Sequence, residues 1–315
     1  MTADLPAVVH VAAAAIFDRR GRVLIARRPP HVHQGDLWEF PGGKLEPGES
    51  VEQALRRELW EELHITPLRS RPLIRVPFQY PDKRVLLDVW RVDEFAGEPH
   101  GREGQPVRWV APGELPGYAF PAANRPIVAA ARLPERYLIT GSFADDADFL
   151  ARLRRALNQG IRLVQLRFKE RAPARATLVD AMRMARAAGA AVVVNGDLAL
   201  ALDLEADGIH LTSGDLRRLS ARPVPPDLWC GASCHDADEL AHAVALGVDF
   251  AVLSPVCATA SHPGAAPLGW ERFKALIADL PLPVYALGGL GDADLPQALS
   301  CRAQGVAAIG AYWGR

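Results

Sequence analysis

The sequence predicts two α/β domains in one chain of 315 residues, the second of them a (β/α)8 barrel of the TIM type. Three observations predict this class. The length exceeds that of the usual single domain. The first half mixes short strands with one clear amphipathic helix, and the second half alternates short apolar strands with helices. We place the domains at residues 1–133 and 137–315.

Composition limits the function classes. Hydrophobic residues are 49% and charged residues 23%, as in ordinary globular proteins, and the net charge of −1 argues against a nucleic-acid or membrane binder. The N-terminus lacks a basic segment followed by an apolar one, and no apolar run reaches the ~18 residues of a membrane span. The four cysteines form no CxxC pair, which favours free thiols over a zinc site. We expect a cytoplasmic protein.

Strand and helix patterns divide the first half. Val8–Phe17 and Val23–Ala26 flank a turn and predict a hairpin. Val51–Leu63 shows helical periodicity, with Val51, Leu55, Leu59 and Leu63 on one face. Further strands are predicted at Leu73–Phe78, Val85–Val92 and Val107–Val110, followed by a short helix at Arg125–Leu133.

The predicted helix at Val51–Leu63 carries a cluster of like charges. Glu58, Glu61 and Glu62 stand at i, i+3 and i+4 and therefore share one face. Their repulsion would be relieved by a divalent cation, and carboxylates are the ligands that Mg²⁺ prefers. Arg57 can pair with a neighbouring carboxylate and orient it. The alternative is a solvated acidic face.

The spacing around this cluster resembles the Nudix box. From Gly43 to Ile65 the pattern is Gly, five residues, Glu, seven residues, Arg-Glu, then Glu-Glu, with His64 in place of the late glycine. Histidine enters the left-handed region at modest cost, so we expect an altered helix end and an intact metal site. The resemblance implies an α/β/α sandwich with a mixed sheet. It also implies Mg²⁺, or alternatively Mn²⁺, bound by Glu58, Glu61, Glu62 and the Gly42 carbonyl.

Residues 8–133 further resemble the MutT-type Nudix enzymes, which hydrolyse 8-oxo-dGTP. Trp38–Gly43 leads into the box as in that group. The resemblance makes Glu103 a further metal ligand and leaves Glu58 or Glu103 as the general base, with Arg57 as the third residue of the catalytic set. It assigns the nucleotide to Arg28, His33, Phe40 and Asn124.

Each nucleotide assignment has a structural alternative. Asn124 offers a donor and an acceptor for a purine edge, and it is also suited to cap a turn before Pro126. Phe40 and Phe120 could sandwich a base or belong to the core. Arg28 is either a phosphate clamp or a solvated arginine at a strand end.

Eight short apolar segments of the second half are predicted as barrel strands. They are Tyr137–Thr140, Leu163–Arg167, Ala191–Val194, Gly208–Leu211, Gly231–Ser233, Phe250–Leu253, Val284–Leu287 and Val306–Ile309.

Residues 137–315 resemble thiamine phosphate synthase and its relative TenI. The resemblance is carried by Gln165-Leu-Arg-Phe-Lys169, by Gly208-Ile-His-Leu211 with Asp215, by Gly231–His235 and by the glycines near 288 and 305. It implies a site for a phosphorylated thiazole or thiamine-like ligand. The residues it assigns are Gln165, Arg167, Lys169, Asn195, Asp215, Ser233, His235, Thr259 and Gly289.

The barrel sequence departs from both families. Gly196 replaces a magnesium-binding aspartate of the synthase, with Asp197 one position later. Thr259 is retained, but His262 stands where the synthase has a phosphate-binding lysine, and Ser254 where TenI has its catalytic histidine. We therefore expect ligand binding without full synthase activity. The alternative is a barrel kept for folding or for dimerisation, and the sequence is compatible with a homodimer.

The leading hypothesis is a Mg²⁺-dependent hydrolase of 8-oxo-dGTP. A second hypothesis makes the barrel a ligand sensor and gives the Nudix half thiamine diphosphate analogues as substrates. A third, that both domains act on unrelated substrates, stays open.

Overall fold

A computed structural model of the chain describes residues 8–259, 264 and 266–314. The chain divides into two compact units. The first runs to Arg132 and includes Ala278–Pro281. The second comprises Leu133–Ile277 and continues from Leu282.

The strands of the first unit form one mixed sheet. Within the described residues they are β1 (Val8–Phe17), β2 (Val23–Arg27), β3 (Trp38–Glu39), β4 (Gly42–Lys44), β5 (Thr66–Gln79), β6 (Arg84–Ala96) and β7 (Val107–Val110). The order is β3-β2-β1-β6-β5, with β4 on β1 and β7 on β2. β1 and β6 run parallel, and the other described neighbours run antiparallel. The predicted hairpin of β1 and β2 is confirmed, with Phe17 opposite Val23.

Two helices cover the faces of this sheet: α1 (Val51–Leu63) and α2 (Arg125–Arg132). Alternate residues of β1 point to opposite faces. Ala12, Ala14 and Ile16 pack with Leu55 and Leu59 of α1. The residues between them, Ala13, Ala15 and Phe17, pack with Ile127 and Ala130 of α2. The expected α/β/α sandwich is confirmed.

The second unit is a closed parallel barrel. Its described strands are β8 (Arg136–Ile139), β9 (Leu163–Leu166), β10 (Ala191–Asn195), β11 (Gly208–Leu211), β12 (Trp229–Cys234), β13 (Phe250–Leu253), β14 (Val284–Leu287) and β15 (Gly305–Ala308). β8 pairs with β15 and closes the ring. The predicted eight-stranded barrel is confirmed.

Helices follow the strands around the barrel. Those described are α3 (Asp146–Asn158), α4 (Arg175–Ala187), α5 (Leu198–Asp203), α6 (Ser213–Arg218), α7 (Ala237–Leu246), α8 (Gly269–Ile277), α9 (Leu295–Ser300) and α10 (Gly310–Trp313). In the part of the chain that the structure describes, no helix combines the length and apolar character needed to cross a bilayer.

Three aromatic side chains fill the barrel interior. Tyr137, Phe250 and Tyr285 are fully buried, with ring centroids 5.3 to 5.9 Å apart. The Tyr285 hydroxyl donates to the Pro134 carbonyl, so this polar group is satisfied inside the core.

The sheet of the first unit also buries one acid. Asp88 on β6 is fully buried and accepts hydrogen bonds from Arg75 Nε at 2.7 Å and Trp90 Nε1 at 3.0 Å. A buried charge is tolerated only when it is paired and hydrogen-bonded in this way.

Replacing Asp88 with alanine should lower the free energy of unfolding of the first unit by about 3 kcal/mol, because Arg75 and Trp90 lose their acceptor. The matched control is Glu94→Ala on the same strand, since Glu94 pairs with Arg69 in an exposed bridge and should contribute below about 1 kcal/mol. Hydrogen exchange of β6 amides in rising urea measures both. Equal losses for the two variants would contradict the prediction.

Candidate functional site

The acidic helix α1 is fixed in rotation by its cap and its apolar face. Ser50 accepts from the Gln53 N–H, and the Gln53 side chain accepts from the Ser50 N–H. Ala54, Leu55, Leu59 and Leu63 are buried against the sheet. Glu58, Glu61 and Glu62 therefore lie along one border of the helix, as the spacing predicted. The Glu58 side chain is 14% exposed and that of Glu61 is 54% exposed.

Arg57 binds the carboxylates around it. Its guanidinium donates to both Glu49 oxygens at 3.0 and 2.8 Å, to Glu58 at 2.7 Å and to the Lys44 carbonyl at 3.0 Å. These bonds, those with Glu49 first, raise the pKa of Arg57 above its ordinary value. Arg57 is therefore a permanent cation that orients Glu58, as the sequence predicted.

Two glycines of β4 allow the backbone to lie against the glutamates. A Cβ on Gly42, whose φ is +145°, would stand 2.1 Å from the Ala12 carbonyl oxygen. A Cβ on Gly43 would stand 2.2 Å from the Glu58 carboxyl group. The Gly42 N–H donates to Glu62 Oε2 at 3.1 Å. The structure thus brings Gly42 beside the acidic cluster, while its carbonyl as a metal ligand stays a prediction.

Glu62 shows how strongly negative this region is. Burial first, and then the charges of Glu39, Glu58 and Glu103, raise the pKa of Glu62 to about 8, although the hydrogen bond from the Gly42 N–H acts to lower it. Glu39 was not among the predicted site residues. Its burial likewise raises its pKa, against the effect of Arg28, with which it forms an ion pair.

The donor chemistry of this cluster fits a hard divalent cation, because its side chains offer carboxylate oxygens and because burial leaves a charge on Glu62 poorly solvated. Among the described residues, no three acidic, histidine or cysteine side chains are already gathered as a ligand set. Arg57 bonds Oε1 of Glu58, which leaves Oε2 as the oxygen available to a cation. Glu103 lies on an exposed loop within electrostatic reach of Glu62.

The predicted nucleotide residues line one cavity of about 280 Å³. Arg28, His33, Phe40 and Asn124 all border it, and so do Gly42 and Gly43. The sequence missed its other polar lining residues, Gln34, Glu39, Lys44, Tyr80 and Lys83. Glu39 sits inside the quoted Trp38–Gly43 motif, whereas Tyr80 and Lys83 follow β5 with no motif to mark them.

Asn124 is nearly buried, at 8% exposure, and its side-chain amide makes no hydrogen bond to any residue that the structure describes. The alternative role as a turn cap is therefore not the one that it plays here. A buried amide with free donor and acceptor positions is suited to a ligand edge.

The idea that Phe40 and Phe120 enclose a base is wrong. The two rings stack directly on each other, with centroids 5.5 Å apart and planes 19° apart, which leaves no room for a third ring. Phe40 belongs to the core and also lines the cavity. Arg28 donates to the His33 carbonyl at 3.0 Å, so it holds the loop that contains His33.

Six of the predicted barrel residues line a second cavity of about 220 Å³: Gln165, Arg167, Asn195, Ser233, His235 and Thr259. Lys169 borders a neighbouring cavity of about 260 Å³, which Arg167 also lines. Gly289 borders another, together with Thr259. The Asp215 carboxylate borders none of these cavities, because it caps α6 through the Thr212 N–H and hydroxyl and pairs with Arg218.

A buried chain of hydrogen bonds runs beneath the second cavity. Asn195 donates to Gln165 at 3.1 Å, and Gln165 donates to the Tyr137 hydroxyl at 2.8 Å. The hydroxyl lies 3.0 Å from His210 Nδ1, and His210 Nε2 lies 3.0 Å from the Ser233 hydroxyl. Burial, and then the charge of Arg167, lowers the pKa of His210 to about 3. His210 is thus neutral, and the chain fixes how Asn195 and Ser233 face the cavity.

The departures from the synthase pattern have structural counterparts. A Cβ on Gly196 would lie 3.5 Å from Asp215 Oδ2, so an aspartate there would place a second carboxylate beside that of Asp215. Asp197 does not replace it, because its carboxylate caps α5 by accepting from the Leu200 N–H. His235 Nδ1 lies 2.8 Å from the Ser254 carbonyl oxygen. His262 lies outside the described residues.

Comparison with known proteins identifies both parts of the chain. The NUDIX domain family matches residues 12–130, and the thiamine monophosphate synthase family matches residues 136–312. An 8-oxo-dGTP diphosphatase of Escherichia coli is 39% identical over 121 residues, which cover 38% of this chain and 94% of that protein. A CTP pyrophosphohydrolase of Escherichia coli is 38% identical over 117 residues, covering 37% and 87%. A thiamine-phosphate synthase of Gloeobacter violaceus is 34% identical over 298 residues, covering 86% and 84%.

The chain therefore belongs to the thiamine monophosphate synthase family through its barrel, and its N-terminal part is a Nudix hydrolase of the MutT type. Nudix hydrolases generally depend on a divalent metal.

In the metal-free protein, the Glu62 carboxyl group should titrate near pH 8. Because its pKa is raised in the folded state, Glu62 contributes stability below about pH 4.5, and this contribution is lost as the pH rises through 8. Carbon-13 NMR of labelled glutamate measures the midpoint. Glu39→Gln should lower it, whereas Glu114→Gln, outside the cluster, should not. A midpoint near the ordinary ~4.3 would contradict the prediction.

Proposed function

We propose that the N-terminal domain hydrolyses 8-oxo-dGTP to 8-oxo-dGMP and pyrophosphate, with Mg²⁺ at Glu58, Glu61, Glu62, Glu103 and the Gly42 carbonyl. The observation that carries this proposal is the side-chain amide of Asn124, which bonds no residue that the structure describes and lies in a cavity that also borders Gly42 and Gly43. The same cavity is therefore lined by a side chain that can recognise a base and by the backbone of Gly42 and Gly43, which lies beside the acidic cluster.

The amide of Asn124 suits the oxidised base better than guanine. Guanine presents two acceptors, N7 and O6, on this edge. Oxidation at C8 places a hydrogen on N7, so that the edge becomes one donor beside one acceptor. The Asn124 side chain has the complementary pair, with Oδ1 accepting from N7–H and Nδ2 donating to O6. With guanine, Oδ1 would face a second acceptor.

The triphosphate would extend from Asn124 towards β4. Arg28 and Lys83 line the path and supply positive charge. Arg28 is held by Glu39 and by the His33 carbonyl, so its guanidinium is already positioned. Phosphate binding would exchange part of the Arg28–Glu39 ion pair for a phosphate contact.

The reaction is attack of water on a phosphorus atom, with cleavage of one P–O–P bond and transfer of the water proton to a carboxylate. A divalent ion supplies neutralisation of the phosphate charge and a lowered pKa of the attacking water. Arg57 donates to Glu58 and orients its carboxylate. Glu58 and Glu103 both remain candidates for the proton acceptor.

The substrate is tested with full-length protein and Mg²⁺ on 8-oxo-dGTP, dGTP, CTP and thiamine diphosphate side by side, by release of pyrophosphate from the three triphosphates and of orthophosphate from thiamine diphosphate. We expect kcat/KM for 8-oxo-dGTP to exceed that for dGTP by at least about a hundredfold, or ~2.7 kcal/mol. Asn124→Ala should remove most of this preference and leave any thiamine diphosphate turnover unchanged. Glu58→Gln is the inactive control.

Preference for CTP, or equal turnover of the two purines, would refute the substrate and leave the hydrolase chemistry in place. Preference for thiamine diphosphate would support the second hypothesis, in which the Nudix half clears thiamine diphosphate analogues and the barrel senses their products. Equal loss of all activities in Asn124→Ala would show that Asn124 does not read the base.

For the barrel we propose binding of a phosphorylated thiazole or thiamine-like ligand without full synthase activity. The supporting observation is Arg167, which borders two cavities and makes no side-chain ion pair with any described residue. Burial lowers the pKa of Arg167, so a phosphate there would restore a partner for its charge. Gly196 leaves Asp215 without the second carboxylate that a magnesium diphosphate would need.

Thiamine monophosphate should bind the full-length protein in calorimetry, and Arg167→Ala should weaken binding at least about tenfold by removing a charge-assisted phosphate contact. Arg175→Ala is the matched control, because Arg175 already pairs with Asp203 outside these cavities. A synthase assay should yield no thiamine phosphate. Absence of binding would favour a purely structural barrel, and turnover would show a complete synthase.

A further inference from the structure

The loop that carries Glu103 also closes the C-terminal end of α1. The last carbonyl groups of a helix have no partner within the helix. Here the Leu63 carbonyl accepts from the His100 N–H at 3.2 Å, and the Glu62 carbonyl accepts from the Arg102 N–H at 3.0 Å. The Arg102 side chain donates to the Trp60 carbonyl at 3.2 Å. The loop of residues 98–105 is thus the cap of the acidic helix.

Gln105 makes the contact that joins the two predicted metal-binding segments. Its side-chain Nε2 donates to the Glu62 carbonyl at 3.1 Å, and its Oε1 accepts from the Glu103 N–H at 2.9 Å. Only one orientation of the amide satisfies both bonds, since the flipped group would face an acceptor with an acceptor. One side chain therefore links the backbones of Glu62 and Glu103.

The surrounding backbone is shaped to bring Gln105 to this place. A Cβ on Gly101 would lie 1.8 Å from the Gln105 carbonyl oxygen and 3.0 Å from its Oε1. Gly104, with φ +79°, turns the chain directly after Glu103. The close approach at position 101 and the left-handed turn at position 104 both require glycine.

The unusual end of α1 adds a second attachment. His64 takes the left-handed conformation, with φ 59° and ψ 37°, as the sequence predicted, and its N–H bonds the Trp60 carbonyl. Its ring packs 4.1 Å from that of Trp60 and 5.7 Å from that of His100 in the loop. The residue that replaces the box glycine thus contacts the loop that carries Glu103.

We propose that Gln105 is a positioning residue for Glu103, which it holds beside Glu62 by tying the loop of residues 98–105 to the last turn of α1. This inference rests on the proposed role of Glu103 in metal binding. Outer groups that orient metal ligands typically account for tenfold to a hundredfold in metal affinity or activity. Gln105 contacts neither substrate nor metal in this assignment, and its effect passes through Glu103.

The test compares Gln105→Met, which keeps the length of the side chain without its hydrogen bonds, with Arg102→Ala. Arg102→Ala is the control, because it removes the side-chain hydrogen bond to the Trp60 carbonyl at the same helix end and leaves the contact between Gln105 and Glu103 intact. Hydrogen exchange of the Glu103 amide in the metal-free protein should accelerate at least about tenfold in Gln105→Met only, because that amide loses its acceptor. Mn²⁺ affinity, measured by electron paramagnetic resonance without nucleotide, should fall about tenfold in Gln105→Met.

The kinetic expectation is a lower kcat with little change in KM for Gln105→Met, since substrate contacts are not altered. The variant Glu103→Gln tests the role of Glu103 in metal binding separately from the positioning role of Gln105. If Glu103→Gln weakens Mn²⁺ binding and Gln105→Met does not, the positioning role is wrong. If Glu103→Gln leaves Mn²⁺ binding unchanged, the proposed metal site fails, and exchange of the Glu103 amide alone decides whether Gln105 orders the loop. Equal effects of Gln105→Met and Arg102→Ala in every readout would reduce Gln105 to a helix cap.

Discussion

Repulsion among the glutamates on one border of α1 is the constraint to which the N-terminal domain is adapted. Three features reduce it. Arg57 neutralises Glu49 and Glu58 by direct bonds, the Gly42 N–H donates to Glu62, and Glu62 retains a proton well above the ordinary range. Each depends on the others, because Arg57 reaches the Lys44 carbonyl only while β4 lies against the helix. The apolar face of α1 provides the stability that this arrangement lacks.

The sequence predicts those parts of the fold in which several local signals indicate the same structure. Helix α1 was predicted with its observed bounds, because cap, apolar period and length all indicate one structure. The barrel strands were equally clear from eight short apolar runs. β3 and β4 were not predicted, since they contain two and three residues and no alternation of apolar and polar positions. Their pairing depends on β1 and β2, which are distant in the sequence.

The candidate sites were predictable only where a motif recorded them. The predicted residues Arg28, His33, Phe40 and Asn124 line one cavity, and Tyr80 and Lys83 reach the same cavity through the fold of β5 and β6. The sequence also could not show that a side chain suited to a ligand site already has a structural role. Asp215 and Asp197 are aspartates in suggestive places, and both serve as helix caps. Likewise, the contact between Phe40 and Phe120 is a matter of packing that spacing alone leaves open.

The barrel differs from the N-terminal domain in how it treats buried polarity. The chain from Asn195 to Ser233 is fully hydrogen-bonded and contains only neutral groups, because burial keeps His210 unprotonated. Such a network orients donors and acceptors without supplying acid or base near neutral pH. A surface of this kind can select a ligand by shape and hydrogen bonding. Among the described residues that line the cavity, Arg167 is the only arginine or lysine. The proposed role of the barrel needs only such recognition, since Gly196 supplies no second carboxylate beside Asp215. The proton transfer and metal binding that we propose for the chain belong to α1 and the loop that closes it.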